Sequence, residues 1–556
     1  MGLFDDKPNG ADTPEEEIFP APSDPLAVAR HLVEVDGLHD PDGVLLVRWW
    51  RGSFHLWAGA HWPEVTDPAI RARLYHVLEH ARYWKPDKDG KPELVAWSPT
   101  RRKIGDVLEA LQAVSHLDER TDPPAWIEGT DAGPALAVAN GLLDLAGRQL
   151  TAHNPRLFNL FSLPYPFELN ANEPSRWLQF LASLWPDDPD AVSLLQEWFG
   201  YVLSGDTRHH KIVLLVGPPR SGKGTIARVL TALVGKENTA GPTLASLGTN
   251  FGLAPLIGRP LAVISDARLG GPNTFTVVER LLSISGEDAL SIDRKYREPW
   301  TGQLPTRFTV ISNELPDLGD ASGAIATRFL VLTLTRSWLG REDPELTSAL
   351  LAELPGILSW ALQGLDRLRS QGRFTEPASS RDAVMALADL ASPVAAFVRE
   401  ACIRGPDREM PVRELYQAWR VWSKDHGRDR PPPEHVFGRD LRAAIPGLKV
   451  VRPNPGDDGP RPRHYRGIAL TDAYTAYLGA ARNGEVRGPL RTEEPESGLV
   501  QASPRTNPLW ASHDGTGSAV LWRCGGCGHE TPALVDMTGF RHPDCGGSFQ
   551  PAEAGQ

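Results

Sequence analysis

An apolar run that breaks into a glycine-rich loop constrains this chain more than any other feature. Residues 211–216 read Lys-Ile-Val-Leu-Leu-Val, and Gly217-Pro218-Pro219-Arg220-Ser221-Gly222-Lys223-Gly224-Thr225 follows directly. Beyond the loop, Ile226, Val229, Leu230 and Leu233 recur at helical spacing up to Gly235. Strand, glycine loop and helix in that order form the context of a phosphate-binding loop. Backbone N–H groups must wrap the phosphates without obstruction by Cβ atoms, and the helix N-terminus adds partial positive charge. Residues 217–225 are therefore expected to bind nucleotide, with Lys223 reaching the β- and γ-phosphates. Gly224 stands where such loops usually carry Ser or Thr, so Thr225 is the expected hydroxyl ligand of Mg²⁺. The Gly-Lys-Gly-Thr form also suits a nucleoside monophosphate kinase.

Two further apolar runs end in polar residues that would complete such a site. Pro260-Leu-Ala-Val-Ile-Ser265 leads into Asp266, the expected second Mg²⁺ ligand. Ser265 rather than a second acid precedes it, so the general base is left unassigned. Arg307-Phe-Thr-Val-Ile-Ser312 leads into Asn313, placed to position water at the γ-phosphate. Thr327-Arg328-Phe329 opens the last apolar run, and Arg328 is the expected arginine finger acting on a neighbouring subunit's nucleotide. Lys223, Asp266, Asn313 and Arg328 are the candidate catalytic residues. The later strands, Asn313 and Arg328 argue against the kinase reading.

In this order the segments GPPRSGKGT, LAVISDAR, SGEDALSIDRKYREPW, RFTVISNELPDL and ATRFLVLT resemble the superfamily 3 helicases of the phage and plasmid primase-helicase family, which includes poxvirus-type members. The resemblance continues upstream through Asn140-Gly-Leu-Leu-Asp-Leu145 and Leu195-Gln-Glu-Trp-Phe-Gly-Tyr201, and downstream through 354–364, covering roughly 130–470. It implies an α/β fold: a P-loop AAA+-type ATPase core with a preceding helical domain. It further implies a ring, usually a hexamer, that uses ATP and Mg²⁺ to move 3′→5′ on single-stranded and forked DNA. Arg294, Lys295 and Arg297 fall in the region of the family's channel hairpin, where cations and an aromatic suit a phosphate backbone. A replication initiator or DNA-bound scaffold that hydrolyses ATP without processive unwinding is the alternative.

The remaining chain divides by composition. Residues 1–25 read as a disordered tail, 26–130 as a Trp-rich α+β module, and 131–207 as mainly helical. The motor and its helical lid occupy 208–375, and a winged-helix-like module 393–475. Within its stretch 449–466, Lys449, Arg452, Arg461, Arg463 and Arg466 stand against only Asp457 and Asp458, and Arg461 and Arg463 are the expected DNA contacts. Residues 476–517 read as a linker. Cys524, Cys527, His542 and Cys545 in 518–550 have the spacing of a structural zinc ribbon, with His529 as a rival ligand. The 26–130 module is too short for a primase and carries no paired-carboxylate metal motif, so a separate primase or polymerase is the expected partner. The absence of any long apolar run excludes a membrane span and fits a bacterial host cytoplasm. The net charge of −12 excludes a uniformly basic surface, so any DNA contact must be local.

Overall fold

The computed structural model describes residues 17–35, 38–127, 133–265, 274–320, 323–453, 462–482, 520–524, 530–533 and 549–551. Two units separate, 1–489 and 490–556.

The centre of the first unit is a five-stranded parallel sheet. Its strands in chain order are β1 (Ile212–Val216), β2 (Thr239–Ala240), β3 (Leu261–Ile264), β4 (Arg307–Ser312) and β5 (Phe329–Thr333). In space they run β2-β3-β4-β1-β5, so β4 lies between β3 and β1. All the pairings are parallel, with Leu214 opposite both Val310 and Val331. Such a sheet is covered on both faces, and its strands read as unbroken apolar runs. The strand period of two sorts them. Val213, Leu215, Leu330 and Leu332 enter one core with the helices Ser175–Leu184, Pro189–Ser204, Lys223–Val234 and Leu354–Gln371. Ile212, Leu214, Val216, Phe329 and Val331 enter the other, with Thr274–Ser285 and Ala378–Ala391.

The region before the sheet is less helical than its composition suggests. Short strands Ala135–Val138, Gly141–Asp144, Leu150–Thr151 and Leu157–Phe158 come first, and helix begins only at Ser175. Alternating apolar pairs and the turn residues near Asn140 and Gly147 favour hairpins there. Part of the expected tail is also structured. Phe19 is buried, its N–H donates to the Arg82 carbonyl at 2.7 Å, and the Pro20 carbonyl accepts from Trp97 Nε1 at 3.1 Å. The Trp-rich module spends Trp50, Trp62 and Trp97 on cores rather than on surface.

After helix Ala378–Ala391 come, in order, helix Pro393–Ala401, strand Cys402–Pro411, helices Val412–Asp425 and Glu434–Ala444, strands Lys449–Val451 and His464–Leu470, and helix Asp472–Arg482. The long last strand sits between the other two. Phe397, Trp419, Trp422 and Phe437 close this small core, and Cys402 is buried against it. In the C-terminal unit, Val520–Cys524 pairs antiparallel with Glu530–Ala533 and Phe549–Pro551. Cys527, His529, His542 and Cys545 lie outside the described residues. No helix among the described residues is long and apolar enough to cross a membrane.

One buried carboxylate fastens the helices behind the sheet. Glu197 is 0% exposed and accepts from Arg367 Nε, Thr375 N and Thr375 Oγ1, each at 2.7 Å. Arg367 also donates to Gln196 Oε1 and the Ser193 carbonyl, both at 2.8 Å. Removing one member of a buried, hydrogen-bonded ion pair costs about 3 kcal/mol or more. Glu197→Ala is expected to lower the urea unfolding midpoint accordingly, as followed by tryptophan fluorescence.

Candidate nucleotide site and nucleic-acid interface

Parallel register decides which loops meet. Val216 lies opposite both Ser312 and Thr333, so the loops after β1, β4 and β5 leave the sheet at one level. The Gly217 N–H donates to the Ser312 carbonyl at 3.3 Å, which sets Asn313 beside the start of the glycine loop. The Leu334 N–H donates to the Val216 carbonyl at 2.7 Å, and a Cβ on Gly217 would run into the Leu334 carbonyl oxygen. Gly222 caps the following helix with φ +100°, a conformation open to glycine at no steric cost. Arg220 also takes a positive φ of 60°.

These loops bound a cleft of ≈ 1020 Å³. Pro219, Arg220, Ser221, Gly222, Lys223, Gly224, Thr225 and Asn313 line it, whereas Gly217 and Pro218 do not. Lys223 folds back on the loop, donating to the Gly217 and Pro218 carbonyls at 2.6 and 2.7 Å and to Ser221 Oγ at 3.2 Å. Burial lowers its pKa from the ordinary lysine value. An anion entering the cleft would replace neutral carbonyls by charged oxygens and strengthen those contacts.

Sequence reasoning passed over several residues of the cleft. Arg228 stands one helical turn beyond Thr225 and donates to its hydroxyl at 3.0 Å. A Cβ on Gly224 would lie 3.3 Å from Arg228 Nη1, so the glycine leaves room for that guanidinium. The i, i+3 spacing from Thr225 would have identified it. Arg176 and Phe180 come from the helix Ser175–Leu184, and Trp338 and Arg341 from the segment after β5. That segment is tied to the loop: the Trp338 N–H donates to the Arg220 carbonyl at 3.0 Å, and Ser337 Oγ to the Pro219 carbonyl at 2.8 Å. Only the fold brings these groups together.

Thr225 offers one hydroxyl oxygen in the cleft. A hard oxygen donor suits Mg²⁺, and a hydroxyl accepting one hydrogen bond retains a second lone pair. Asp266 lies outside the described residues; β3 ends at Ile264, opposite Val310.

Arg328 sits at the other end of the sheet. It precedes Phe329, which pairs with Ile212, the first residue of β1. Lys211 Nζ donates to the neighbouring Thr327 carbonyl at 2.8 Å. A strand of this length spans roughly 17 Å at about 3.3 Å per residue. Arg328 and the glycine loop of one chain therefore face away from each other along the sheet.

Leu290–Arg294 and Arg297–Gly302 form an antiparallel hairpin inserted before β4, with Lys295 and Tyr296 as its turn. Tyr296 is 92% exposed, and Lys295 Nζ lies 5.0 Å from its ring centroid. The flanking arginines are engaged elsewhere. Arg294 donates to the Glu298 carbonyl, Ser53 Oγ and the Arg51 carbonyl at 3.1, 3.0 and 3.1 Å. Arg297 pairs with Glu64. In the module at 393–475, Arg463 is exposed and lies 3.9 Å from Glu434, while Arg466 pairs with Glu409. Arg461 lies outside the described residues.

Residues 41–186 match the family described as "D5 N terminal like". Residues 215–328 match the one described as "Family of unknown function (DUF5906)". Among solved structures, the chain is similar to "The apo structure of NrS-1 C terminal region (305-718)", at 14% identity and TM-score 0.45, over 76% of this chain and 96% of that one. It is also similar to "The A form apo structure of NrS-1 C terminal region-CTR", at 12% identity and TM-score 0.41, over 76% and 97%. The D5 N-terminal-like segment thus precedes, on one chain, the DUF5906 segment that contains the glycine loop 217–225.

Proposed function

We propose that the protein is an ATP-driven replicative DNA helicase of a phage or mobile element, working as a ring, most simply a hexamer, on single-stranded and forked DNA. The observation that carries this reading is the division of one sheet into two ends. The glycine loop, Thr225 and Asn313 gather at one end, and Arg328 stands at the other. A subunit so built lacks Arg328 at its own nucleotide and offers it to a neighbour, which a closed ring satisfies for every member. By family resemblance the direction is 3′→5′, and priming falls to a separate primase or polymerase. A DNA-bound initiator or scaffold that hydrolyses ATP without unwinding would share the shared-site geometry, and a strand-displacement assay separates the two.

The roles follow from placement. Lys223 and the loop amides take the β- and γ-phosphates. Thr225 and Asp266 hold Mg²⁺, which supplies neutralisation of charge on the phosphates. Asn313 orients water at the γ-phosphate. Lys295 and Tyr296 meet the DNA backbone from the hairpin turn. The module at 393–475 is a winged helix in this reading: its order of helix, strand, two helices and two paired strands supports it. Arg439 and Arg442 on helix Glu434–Ala444, with Arg461 and Arg463 of the sequence before the last strand, are its proposed DNA contacts. Cys524, Cys527, His542 and Cys545 hold one structural Zn²⁺, with His529 as the competing fourth ligand.

Lys223→Ala is expected to abolish ATP hydrolysis with an unchanged circular dichroism spectrum; retained turnover would sink the motor assignment. Arg328→Ala should be equally inactive alone. Mixed with Lys223→Ala, it should recover part of the turnover, because some interfaces then pair an intact Lys223 with an intact Arg328. Strictly additive, inactive mixtures would argue against a shared site. Metal analysis of the purified chain should find one zinc per subunit, lost in Cys524→Ser/Cys527→Ser; a zinc-free wild type overturns the ribbon reading.

A further inference from the structure

A two-stranded hairpin is marginal by itself in water and needs a surface to hold it. Here the Trp-rich N-terminal module supplies part of that surface. Ile292 and Trp300, the inward-facing residues of the two hairpin strands, are buried in one core with Trp50, Trp62 and Phe158. Trp50 and Trp300 meet edge to face at 6.5 Å between ring centroids. Arg51, at the turn of the module's own hairpin, lies over both rings, 4.5 Å from Trp50 and 5.2 Å from Trp300. It is fixed there by Asp122 Oδ1 at 2.7 Å and by the Glu119 carbonyl.

A continuous polar chain runs beside this core. Arg294 Nη1 donates to Ser53 Oγ at 3.0 Å, and Ser53 Oγ donates to Glu64 Oε1 at 3.0 Å. Arg297 Nη1 closes the chain on the same Glu64 oxygen. Arg294 Nη2 adds the Arg51 carbonyl. Two glycines make the approach possible. A Cβ on Gly302 would run into the Arg51 guanidinium, and one on Gly52 would lie 3.1 Å from Arg294 Nη2. Each piece therefore carries a glycine where the other piece brings an arginine. Burial also lowers the Arg294 pKa, with Glu64 acting in the opposite direction.

We propose that the N-terminal module is the mount of the channel hairpin. Arg294 and Arg297 are positioning residues that lock the hairpin to Ser53, Glu64 and Arg51, and the turn residues Lys295 and Tyr296 are left as the groups presented to DNA. The inference rests on the reading of that turn as the DNA contact. It assigns the module a role in motor output: a tip pushed by the ATPase core transmits force to DNA only if its base does not yield.

Charge exchange in the full-length protein tests this. The variants are Glu64→Arg, Arg297→Glu, the double exchange, and Lys295→Ala. Chymotryptic cleavage at Tyr296 without DNA should accelerate severalfold in each single exchange and return towards wild type in the double. The ratio of DNA-stimulated to DNA-free ATP turnover should fall about tenfold in each single exchange and recover in the double. The salt dependence of affinity for a fluorescent single-stranded oligonucleotide should keep its slope in the double exchange. It should flatten by about one phosphate contact per engaged subunit in Lys295→Ala. A double exchange no better than Arg297→Glu in cleavage and in turnover overturns the mount. A slope that flattens in the double exchange makes Arg297 a DNA contact and also overturns it. If Lys295→Ala leaves affinity and slope unchanged while the cleavage rescue holds, the mount stands and the DNA-contact reading of the turn fails instead.

Discussion

The pairing of β1 between β4 and β5 governs the site. Because these strands are parallel and in close register, the residues that follow them emerge together, and those that precede them emerge together at the far end. Gly217 has no side chain because the Leu334 carbonyl occupies the space a Cβ would take. That contact fixes the start of the phosphate loop against the exit of β5, and through it the segment that carries Trp338 and Arg341 into the cleft. Shifting β5 by two residues, the smallest slip that preserves its two faces, would open the Gly217 contact and move Arg328 by about 7 Å. The cleft and the distant Arg328 thus depend on one register.

Several arginines of this chain serve as internal fastening rather than as free surface charge. Arg148 spans from its own turn to Asp366 and the Leu362 carbonyl, Arg367 secures Glu197, and Arg399 takes Asp389 in a two-point pair. Arg307 at the start of β4 is buried against the Tyr201 ring at 4.8 Å and donates to the Pro305 carbonyl. A planar guanidinium with five donors suits such sites, since it joins several acceptors at once. A cluster of basic letters is for this reason a poor guide to a DNA surface. Within Arg294-Lys295-Tyr296-Arg297 the two arginines turn back to the module beneath, and the compact lysine stays at the turn.

The parallel sheet and its glycine loop were readable from sequence because their signals are local. A buried parallel strand is an apolar run, a phosphate loop has fixed spacing, and the polar residue ending each strand follows at once. β1, β3, β4 and β5 fall where those runs stand. What escaped depends on contacts between distant segments. Phe19 is held in place by Arg82 and packs edge to face on His31, contacts invisible in an acidic, proline-bearing N-terminus. The short strands between 135 and 158 are too brief for periodicity to separate them from helix, and their pairing decides. Arg176, Trp338 and Arg341 reach the cleft through tertiary packing, and no spacing in the sequence connects them to Lys223. Arg294 and Arg297 carry the right charge for DNA, but Glu64 and Ser53, more than two hundred residues earlier, claim them first.

The mounting of the hairpin bears on how a chain of net charge −12 could hold DNA at all. With both arginines engaged, one subunit offers a single lysine and an exposed tyrosine at the turn. Each phosphate contact contributes a slope of about −0.9 in log affinity against log salt for duplex and about −0.7 for single strands, so one contact gives weak and easily screened binding. Repetition changes this without new chemistry. In the proposed ring every subunit presents the same turn to one strand, and each contact after the first forms at high effective concentration. Affinity of the hairpin contacts then depends on assembly, and the net charge of −12 disfavours non-specific adhesion of unassembled subunits to DNA. A rigid base matters more under these conditions. When each hairpin meets the strand by one charged tip, a hairpin free to swing would lose its contact, whereas a hairpin fixed through Glu64, Ser53 and Arg51 keeps the hairpin contacts in register around the proposed ring.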